Sequence, residues 1–349
     1  MKLLICTQAV DRNDPTLGFF HRWIEEFAKQ CDQVTVVCLQ KGDYELPHNV
    51  TVYSLGKERG RVSRARYAIR FWRILLRLGR SYDGVFVHMN PEYIILGGLW
   101  WKFFRKKIGL WYVHKSVNTK LRIAVLFSNY VFTASKESFR LVSQKVMIMG
   151  HGIDITRAKA RIPRASNVRL ITSGRVTVIK HLEVIVGAFL LLKQKGLEVT
   201  CTILGAPVTE DDFRYQKTLF KILTDANEKP ETVFVGAVPH DQVPEFRATA
   251  DYFLHASDTG SLDKSVLDAV ISGVVPLSPS EAYVEFFGAY KPVLAYPKGD
   301  SQALADKIIA LEAMTEEKRE EIRKALYARV TEKYSLTALI PRILAVYKR

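Results

Sequence analysis

The sequence predicts an α/β protein of two domains, each built around a parallel sheet. Strand-like apolar runs alternate with helical or loop segments along the whole chain, which is the pattern of parallel sheets. With 349 residues and 48% hydrophobic content, the chain is long enough to form two cores. A basic stretch poor in apolar residues, 155–167, separates the two sets of runs and is typical of a linker. We therefore predict domains at 1–160 and 161–333, followed by a last helical segment at 334–349.

The predicted strands form two sets along the chain. Those of the first domain lie at 2–7, 34–39, 50–53, 84–88, 108–113, 130–134 and 146–149. Those of the second domain lie at 168–172, 198–204, 232–235, 251–255, 274–277 and 292–295. Because helical or loop segments separate consecutive runs, each set predicts one parallel sheet.

Residues 257–273, SDTGSLDKSVLDAVISG, contain the strongest indication of function. They follow an apolar run at 252–254 and lead into a segment with apolar residues at helical spacing, so they predict a strand, a loop and a helix. A loop at the carboxyl end of a parallel strand is the usual ligand position in open α/β sheets. Asp263 and Asp268 are placed to bind sugar hydroxyls there. The alternative is that Asp263 is only a helix N-cap and Asp268 a solvated acid.

A second segment, 168–189, predicts another strand, a short loop and a helix. Gly174, Arg175 and Lys180 lie at the loop and the start of the helix. Two cations beside a helix N-terminus suit a diphosphate, because Arg offers a planar fork of donors and Lys a mobile point charge. Surface cations at this spacing are common, so the two cations alone are weak evidence. Their position before the acidic segment 257–273 in the chain is what supports a functional site.

Together the two segments resemble the donor-binding half of the retaining glycosyltransferases of family 4, within the glycosyl transferases group 1. Gly174, Arg175 and Lys180 resemble the family's G-R-x-x-x-x-K element, which binds the donor diphosphate. Gly205 and Gly236 resemble the glycines at the next two strand ends. The resemblance implies the GT-B fold, with two facing Rossmann-like domains, an interdomain cleft and a C-terminal helix that crosses back to the N-terminal domain.

Further similarities run in order through most of the chain. The segment around Gly236 and Val238 resembles the part of the family that abuts the nucleotide base. HGID at 151–154 resembles the motif between the domains, and His114 resembles the histidine that ends a strand of the acceptor domain. The resemblance therefore extends to both domains.

The sequence also departs from the family. The second acid of the paired-acid motif falls on Asp268, and the first falls on Gly260, which has no side chain. Either Asp263, three residues along, takes over the contact with the sugar, or sugar recognition here differs. His151 stands where Asn is usual, and the glycine pair of the first loop is reduced to Gly18.

The resemblance implies transfer of a sugar from a nucleotide-diphosphate sugar, of UDP or GDP type, to a hydroxyl with retention of configuration and without a metal or other cofactor. Arg175 and Lys180 would stabilise the leaving diphosphate, Asp263 would contact the sugar, and His114 would position the reactants. The other donor-binding candidates are Gly174, Gly205, Gly236, Val238, Gly260, Ser261, Leu262, Lys264, Leu267 and Asp268. Two alternatives stay open: an inert GT-B scaffold in a glycan-assembly complex, and a nucleotide-sugar epimerase.

Three residues of the first domain are candidates for the acceptor side. His88 ends a strand-like run, and Asp14 and Gly18 precede a helix rich in aromatic residues. The alternative for His88 is a structural histidine, and the alternative for Asp14 is a cap of that helix. No metal-ligand spacing such as HExxH is present.

Charge is concentrated in one part of the chain. Residues 51–169 contain 24 Lys and Arg against 5 Asp and Glu, whereas the whole chain has a net charge of +15. Within this part, 61–80 predicts a basic amphipathic helix, and 98–107 adds paired aromatic residues beside cations. We predict that these two segments dock on an anionic membrane, through Arg66, Arg70, Trp72, Arg73, Arg77, Trp100, Trp101, Lys102, Arg105 and Lys106.

That membrane surface would suit a glycan or lipid-linked acceptor. The alternatives are a solvated outer face of a domain helix, with Trp72 in the core, and a polyanion-binding surface. Nucleic acid is disfavoured because the aromatic residues lie in helical stripes and no DNA- or RNA-binding motif is present.

The four cysteines have no CxxC spacing and three lie in apolar surroundings, which predicts reduced core residues in a cytoplasmic protein. The N-terminal apolar stretch is too short for a signal peptide, and no run reaches the length of a membrane span. The sequence therefore predicts a cytoplasmic protein, peripheral on the inner face of the membrane.

Overall fold

The computed structural model describes residues 1–14, 16–164, 166–239, 241–257 and 262–348. The chain divides into two compact units. Unit 1 comprises Met1–Asp154 and Ser335–Arg349, and unit 2 comprises Ile155–Tyr334. Each unit contains one parallel sheet with helices packed against it, so the predicted fold class is confirmed.

The described part of unit 1 has a seven-stranded sheet in the order β3-β2-β1-β4-β5-β6-β7. Its strands are β1 Lys2–Val10, β2 Gln33–Lys41, β3 Val50–Ser54, β4 Gly84–His88, β5 Lys107–Trp111, β6 Tyr130–Thr133 and β7 Val146–Ile148. Its first helices are α1 Phe19–Gln30, α2 Arg64–Leu78, α3 Pro91–Phe103 and α4 Thr119–Phe127. A strand forms in every segment of this domain where the sequence predicts one.

The described part of unit 2 has a five-stranded sheet in the order β10-β9-β8-β11-β12. Its strands are β8 Val168–Ser173, β9 Val199–Leu204, β10 Phe234–Gly236, β11 Tyr252–Leu254 and β12 Val275–Leu277. Its helices are α5 Leu182–Gln194, α6 Glu210–Asp225, α7 Pro230–Val233, α8 Val243–Ala248, α9 Lys264–Ile271, α10 Val284–Phe287, α11 Lys291–Leu294, α12 Ser301–Glu312 and α13 Glu316–Arg329.

The predicted strand at 292–295 is wrong. The segment forms the short helix α11, and only Ala295 makes an isolated bridge, to Ser278. Pro292 stands in the first turn of this helix, where its missing N–H has no helical partner to lose. The local preference of proline therefore outweighs the apolar composition that suggested a strand.

The last helix, α14 Leu336–Lys348, packs on the sheet of unit 1 beside α1. Tyr347 is buried, and its hydroxyl donates a hydrogen bond of 2.7 Å to the carbonyl of Val85 in β4. A Cβ atom at Gly109 in β5 would lie 2.2 Å from that hydroxyl. Glycine at this position of β5 thus makes the room that the tyrosine of α14 occupies.

Candidate functional site

Three glycines shape the carboxyl ends of neighbouring strands in unit 2. Gly174, Gly205 and Gly236, at the ends of β8, β9 and β10, have φ values of +147°, +137° and +89°. The Gly205 N–H donates to the carbonyl of Gly236 at 2.7 Å, and a Cβ atom on Gly205 would lie 1.8 Å from the Gly174 carbonyl oxygen. Only glycine combines these backbone angles with this close approach. The conformation explains why the sequence has glycine at each strand end.

Arg175 follows the first of these glycines and is held by Asp212, in the first turn of α6. The Asp212 carboxylate accepts hydrogen bonds from Arg175 Nε at 2.8 Å and from the backbone N–H of Thr209 at 3.0 Å. Burial raises the pKa of this carboxyl, but these hydrogen bonds and one from Thr177 outweigh it and lower that pKa. The Arg175 side chain remains 47% exposed while its direction is fixed by a buried anion.

Sequence reasoning missed Asp212, although a local pattern marks it. Thr209 and Asp212 form a capping box, in which the Thr209 side chain accepts from the Asp212 N–H at 3.3 Å. A threonine followed three residues later by an acid, before an amphipathic helix, is visible in the sequence. What the sequence does not show is that this acid faces Arg175.

Lys180 forms an ion pair with Asp263, which is also the N-cap of α9. The carboxylate accepts from the backbone N–H of Ser265 at 3.1 Å and contacts the Lys180 ammonium. Burial raises the pKa of Asp263, but the charge of Lys180 and the neighbouring hydrogen-bond donors lower it well below its usual range. Asp263 is therefore the N-cap of α9, as one interpretation of the sequence proposed, and its contact with a sugar stays a prediction.

His255 lies directly after β11 and was not among the sequence candidates. The residue is 4% exposed, and its Nδ1 lies 2.8 Å from the hydroxyl oxygen of Ser278. Its Nε2 lies 3.8 Å from the Asp263 carboxylate. Burial lowers the pKa of the imidazole to about 4, so the ring is neutral at neutral pH. A histidine that ends an apolar strand just before the acidic loop was the available signal.

These side chains meet at one cavity, at the carboxyl end of the sheet of unit 2. It is lined by Thr172, Ser173, Gly174, Arg175, Lys180, Leu182, Ile203, Phe253, His255, Ala256 and Ser265. The structure thus brings together the predicted Gly174, Arg175 and Lys180, with Asp263 held on Lys180. Two cations, each paired with an acid, and a neutral imidazole can bind a phosphate group and hydrogen-bond a polar ligand.

The remaining donor-side candidates have mixed surroundings. Asp268 in α9 lies 3.5 Å from the buried guanidinium of Arg247. Burial lowers the pKa of Lys264, which the charge of Asp268 opposes. Leu262 and Leu267 are buried, and Val238 is partly buried after β10. Gly260 and Ser261 lie outside the described residues, and the roles assigned to all of these stay predictions.

The acceptor-side candidates belong to unit 1. His114 is exposed after β5, and its Nδ1 accepts from the Ser116 N–H at 3.0 Å. His88 is buried, and its ring stacks on Phe20 with centroids 4.0 Å apart. These positions leave the acceptor-side roles as predictions, and for His88 they favour the alternative of a structural histidine.

Asp14 caps a turn rather than a helix. Its carboxylate accepts from the N–H of Thr16 at 2.9 Å and of Leu17 at 2.7 Å. The N-cap of α1 is Gly18, where a Cβ atom would lie 2.7 Å from the carbonyl oxygen of Asp14. The suggested capping of α1 by Asp14 is therefore wrong, and Gly18 is required by close packing of the backbone.

One member of the predicted membrane-facing set requires correction. Trp101 is fully buried in the core of unit 1, where its Nε1 donates to the hydroxyl of Tyr82 at 3.0 Å. It cannot meet a membrane in this fold. Two of the cations make structural hydrogen bonds instead, since Arg70 donates to the carbonyl of Leu55 at 2.6 Å and Lys106 to that of Tyr82.

The rest of that set lies on α2 and α3, except Arg105, which follows the end of α3. The core face of α2 consists of Phe71 and Leu75 rather than Trp72, which is half-buried with its ring 6.0 Å from Trp100. The outer face of the three helices α2, α3 and α4 carries large exposed apolar residues, with Phe103 79% exposed and Leu126 71% exposed. The exposed cations of the predicted set are Arg66, Arg73, Arg77, Lys102 and Arg105.

Three further features bear on the expectations from sequence. All four cysteines are free and buried, and burial raises the pKa of each thiol. Within the described ranges, no cluster of three or more His, Cys, Asp or Glu residues could hold a metal ion. No helix in the part of the chain that the structure describes has the length and apolar character to cross a bilayer.

The fold and this site define the class of the protein. The sequence model of the family "Glycosyl transferases group 1" matches residues 154–329, which is half of the chain. The chain belongs to this family, and the predicted class, a glycosyltransferase, is confirmed at that level. No curated protein sequence matches the chain. Assignment to family 4 stays a prediction.

Similar solved structures confirm the predicted GT-B fold. HepE from Anabaena, in complex with UDP, is 17% identical, with 100% of both chains covered and a TM-score of 0.75. Sucrose-phosphate synthase from Thermosynechococcus elongatus is 12% identical, with 100% of this chain and 98% of that chain covered and a TM-score of 0.73. A glycosyltransferase from Rickettsia africae is 12% identical, with 99% and 98% covered and a TM-score of 0.72.

The neutral, buried His255 predicts a pH dependence of stability. Its folded-state pKa of about 4 lies below the ordinary value of 6.5. Between these values the unfolded chain binds a proton that the folded chain does not, so the free energy of unfolding falls as pH falls from 6.5 towards 4. The fall is at most about 1.4 kcal/mol per pH unit from this group. Above pH 6.5 its contribution is fully present.

Urea unfolding of the wild type and of His255→Gln at pH 4.5, 5.5 and 7 measures this effect. The variant cannot titrate at this position, so its stability should fall less between pH 7 and 4.5. The two proteins differ at this position alone, so the difference between their losses of stability reports on His255. An equal fall in the two would show that His255 is not held neutral by the fold.

Proposed function

We propose that the protein transfers a sugar from a nucleotide-diphosphate sugar, of UDP or GDP type, to a hydroxyl group, with retention of configuration. The observation that carries the proposal is the cavity of unit 2, where Gly174, Arg175 and Lys180 lie together at the carboxyl end of β8. Structures of the similar HepE contain UDP, UDP with glucose, and UDP-glucose. A nucleotide diphosphate is the ligand class for which two cations beside glycine-rich strand ends are suited.

The two cations would stabilise the departing diphosphate. Negative charge grows on the leaving phosphate as the bond to the sugar breaks, and fixed positive groups lower the free energy of that state. Arg175 is already aimed by Asp212, so little reorganisation is needed when charge develops. Lys180 is a point charge on a flexible stem and would share its charge between Asp263 and a phosphate oxygen. On this proposal the protein's own cations serve in place of a metal.

The other groups would bind and orient the substrates. Asp263 and Lys264 would contact the sugar, and Asp268, supported by Arg247, would bind the ribose hydroxyls. The departing phosphate oxygen would accept the proton of the attacking hydroxyl on the face that it leaves, which retains the configuration. The acceptor-side contacts of this proposal lie in unit 1, at His114, Asp14 and Gly18, without the buried His88.

Nucleotide titrations test the donor site. Calorimetry with UDP, GDP and their common sugar conjugates should show selective binding of one nucleotide to the wild type. Arg175→Ala should weaken that binding by about 10- to 100-fold, since a hydrogen bond to a charged group contributes about 1.5–3 kcal/mol. Asp212→Asn should weaken it less, because Arg175 remains but loses its orienting anion.

Arg214→Ala is the matched control, since this exposed arginine of α6 pairs only with the exposed Asp211 among the ion pairs of the described residues. It should bind nucleotide like the wild type. Absence of binding to every nucleotide would contradict the proposal and favour the inert GT-B scaffold. Conversion of the bound donor with no acceptor present would favour the epimerase.

We further propose that the acceptor is a lipid-linked or cell-surface glycan precursor, presented at the cytoplasmic face of an anionic membrane. Helix α3 contacts both α2 and α4, so the three helices lie side by side. We call this outer face of the three helices the α2–α4 surface; its exposed apolar residues are Ile69, Leu76, Leu99, Phe103, Ile123 and Leu126. Exposed cations of the same helices lie among them, in a part of the chain with a surplus of 19 positive charges. Apolar side chains surrounded by cations match an anionic bilayer interface.

Vesicle binding tests this surface. The wild type should sediment with vesicles that contain phosphatidylglycerol at low salt, and much less at high salt, because exposed charges are screened. Phe103→Ala and Leu126→Ala should each weaken binding through lost apolar contact. Replacement of Arg73 by Gln should weaken it about 5-fold, the effect of about 1 kcal/mol per basic residue.

Phe213→Ala is the control for the apolar variants, because Phe213 is a large exposed residue of unit 2. It should bind vesicles like the wild type. If the wild type does not bind anionic vesicles at low salt, the membrane proposal is wrong. If it binds heparin but not vesicles, the surface is a polyanion site.

A further inference from the structure

A buried ring nitrogen of His255 lacks a hydrogen-bond partner among the described residues. The residue is almost fully buried, and its Nε2 has no hydrogen-bond partner among the described residues. Leaving such an atom unpaired in the folded protein is costly, and native proteins rarely do so without a reason. This atom belongs to a residue that lines the cavity of unit 2 beside Lys180 and Ser265.

The surroundings fix the position of His255 closely. The hydroxyl of Tyr296 donates to the His255 carbonyl at 2.7 Å, and the ring of Tyr283 meets the imidazole edge-on with centroids 5.5 Å apart. Ser278, fully buried, contacts Nδ1 at 2.8 Å. The ring is therefore held from three sides, and Nε2 points in one defined direction.

The groups around the neutral ring favour a proton on Nε2. The Ser278 hydroxyl oxygen already accepts from the Ser280 N–H at 3.2 Å, and its one hydrogen is free to donate to Nδ1 of His255. The ring proton then lies on Nε2, which is 3.8 Å from the Asp263 carboxylate. The negative charge of Asp263 favours this arrangement over one in which a nitrogen lone pair faces it. His255 thus presents a donor.

Asp263 supplies the complementary acceptor. Its carboxylate is fixed by Ser265 and Lys180. Its backbone N–H donates a hydrogen bond of 2.6 Å to the Tyr283 hydroxyl oxygen. The gap of 3.8 Å is too long for a direct hydrogen bond, but an oxygen atom about 2.8 Å from both atoms would bridge them. That oxygen must accept from Nε2 and donate to the carboxylate. A hydroxyl group does both, whereas a phosphate oxygen only accepts and is repelled by Asp263.

We propose that His255 and Asp263 together bind one hydroxyl group of the donor's sugar. The proposal rests on the proposed function, because it presumes that a nucleotide sugar occupies the cavity of unit 2. It adds His255 as a residue that recognises the sugar, separate from the cations that bind the diphosphate. In this arrangement His255 contacts the sugar of the donor and not its nucleotide.

The experiment compares His255→Phe and His255→Gln with the wild type by calorimetry. Phenylalanine keeps a ring but removes the donor, whereas the glutamine amide restores a donor near the position of Nε2. His255→Phe should leave the affinity for the nucleoside diphosphate unchanged and weaken binding of the nucleotide sugar by about 2- to 10-fold, the range for one neutral hydrogen bond. His255→Gln should recover part of that loss.

A series of donors that each lack one sugar hydroxyl locates the contact. One of these deoxy donors should bind the wild type more weakly than the complete donor does, by a similar factor. The same deoxy donor should bind His255→Phe as tightly as the complete donor does. Ser278→Ala provides a second variant if His255→Phe does not fold, since it releases Nδ1 without touching the cavity. It should weaken binding of the nucleotide sugar alone.

Three results would overturn the proposal, and they are distinguishable from failure of the donor site itself. The variants could weaken binding of the nucleoside diphosphate and of the nucleotide sugar equally. They could bind both ligands as tightly as the wild type does. Every deoxy donor could lose affinity equally in the wild type and in the variant. If the wild type binds no nucleoside diphosphate at all, the proposed function fails first and the hydroxyl site fails with it.

Discussion

The site of unit 2 depends on the close approach of backbones at three neighbouring strand ends. The carbonyl of Gly174 occupies the space that a side chain on Gly205 would need, and the Gly205 N–H is bonded to the carbonyl of Gly236. Because these three positions carry no side chain, the strand ends can approach each other closely where the chain turns out of β8 into Arg175. Arg175 is thus presented by a rigid strand end, which fixes its position more accurately than a long loop does.

Each cation of the cavity is paired with an acid that has a second structural duty. Asp212 closes the capping box of α6, and Asp263 caps α9. The folded structure holds the pKa of both carboxyls well below their usual range. The acids therefore remain charged and stay ion-paired with Arg175 and Lys180. Helix capping therefore connects the stability of unit 2 with the geometry of its site. Loss of either acid would affect both.

The sequence predicts much of the fold because its signals are local. Apolar runs mark the strands, and the glycines after β8, β9 and β10 follow from backbone angles that other residues rarely adopt. The strand predicted at 292–295 failed because a proline at a helix start competed with apolar composition. Trp101 was assigned to the surface because the segment 98–107 is rich in both cations and aromatics, and the sequence alone does not show which aromatic faces the core.

The site was harder to predict because its contacts join distant residues. Arg175 and Lys180 were found from their spacing, whereas their partners Asp212 and Asp263 lie 37 and 83 residues further along the chain. Asp263 was found only because it stands in the acidic loop. His255 was missed because a single histidine at a strand end is more often structural. That its Nε2 has no hydrogen-bond partner among the described residues is visible only once Ser278 and Asp263 are placed around it.

On the proposed function, Arg175 and Lys180 form a diphosphate site. The most direct test of that site compares the affinities for a nucleoside monophosphate and for the corresponding nucleoside diphosphate. For the nucleotide that the wild type prefers, calorimetry should give at least about 10-fold tighter binding of the diphosphate, the effect of one hydrogen bond to a charged group. Lys180→Ala should remove most of that difference while binding of the monophosphate changes little. Equal affinities for the two nucleotides in the wild type, or a difference that survives Lys180→Ala unchanged, would contradict the account.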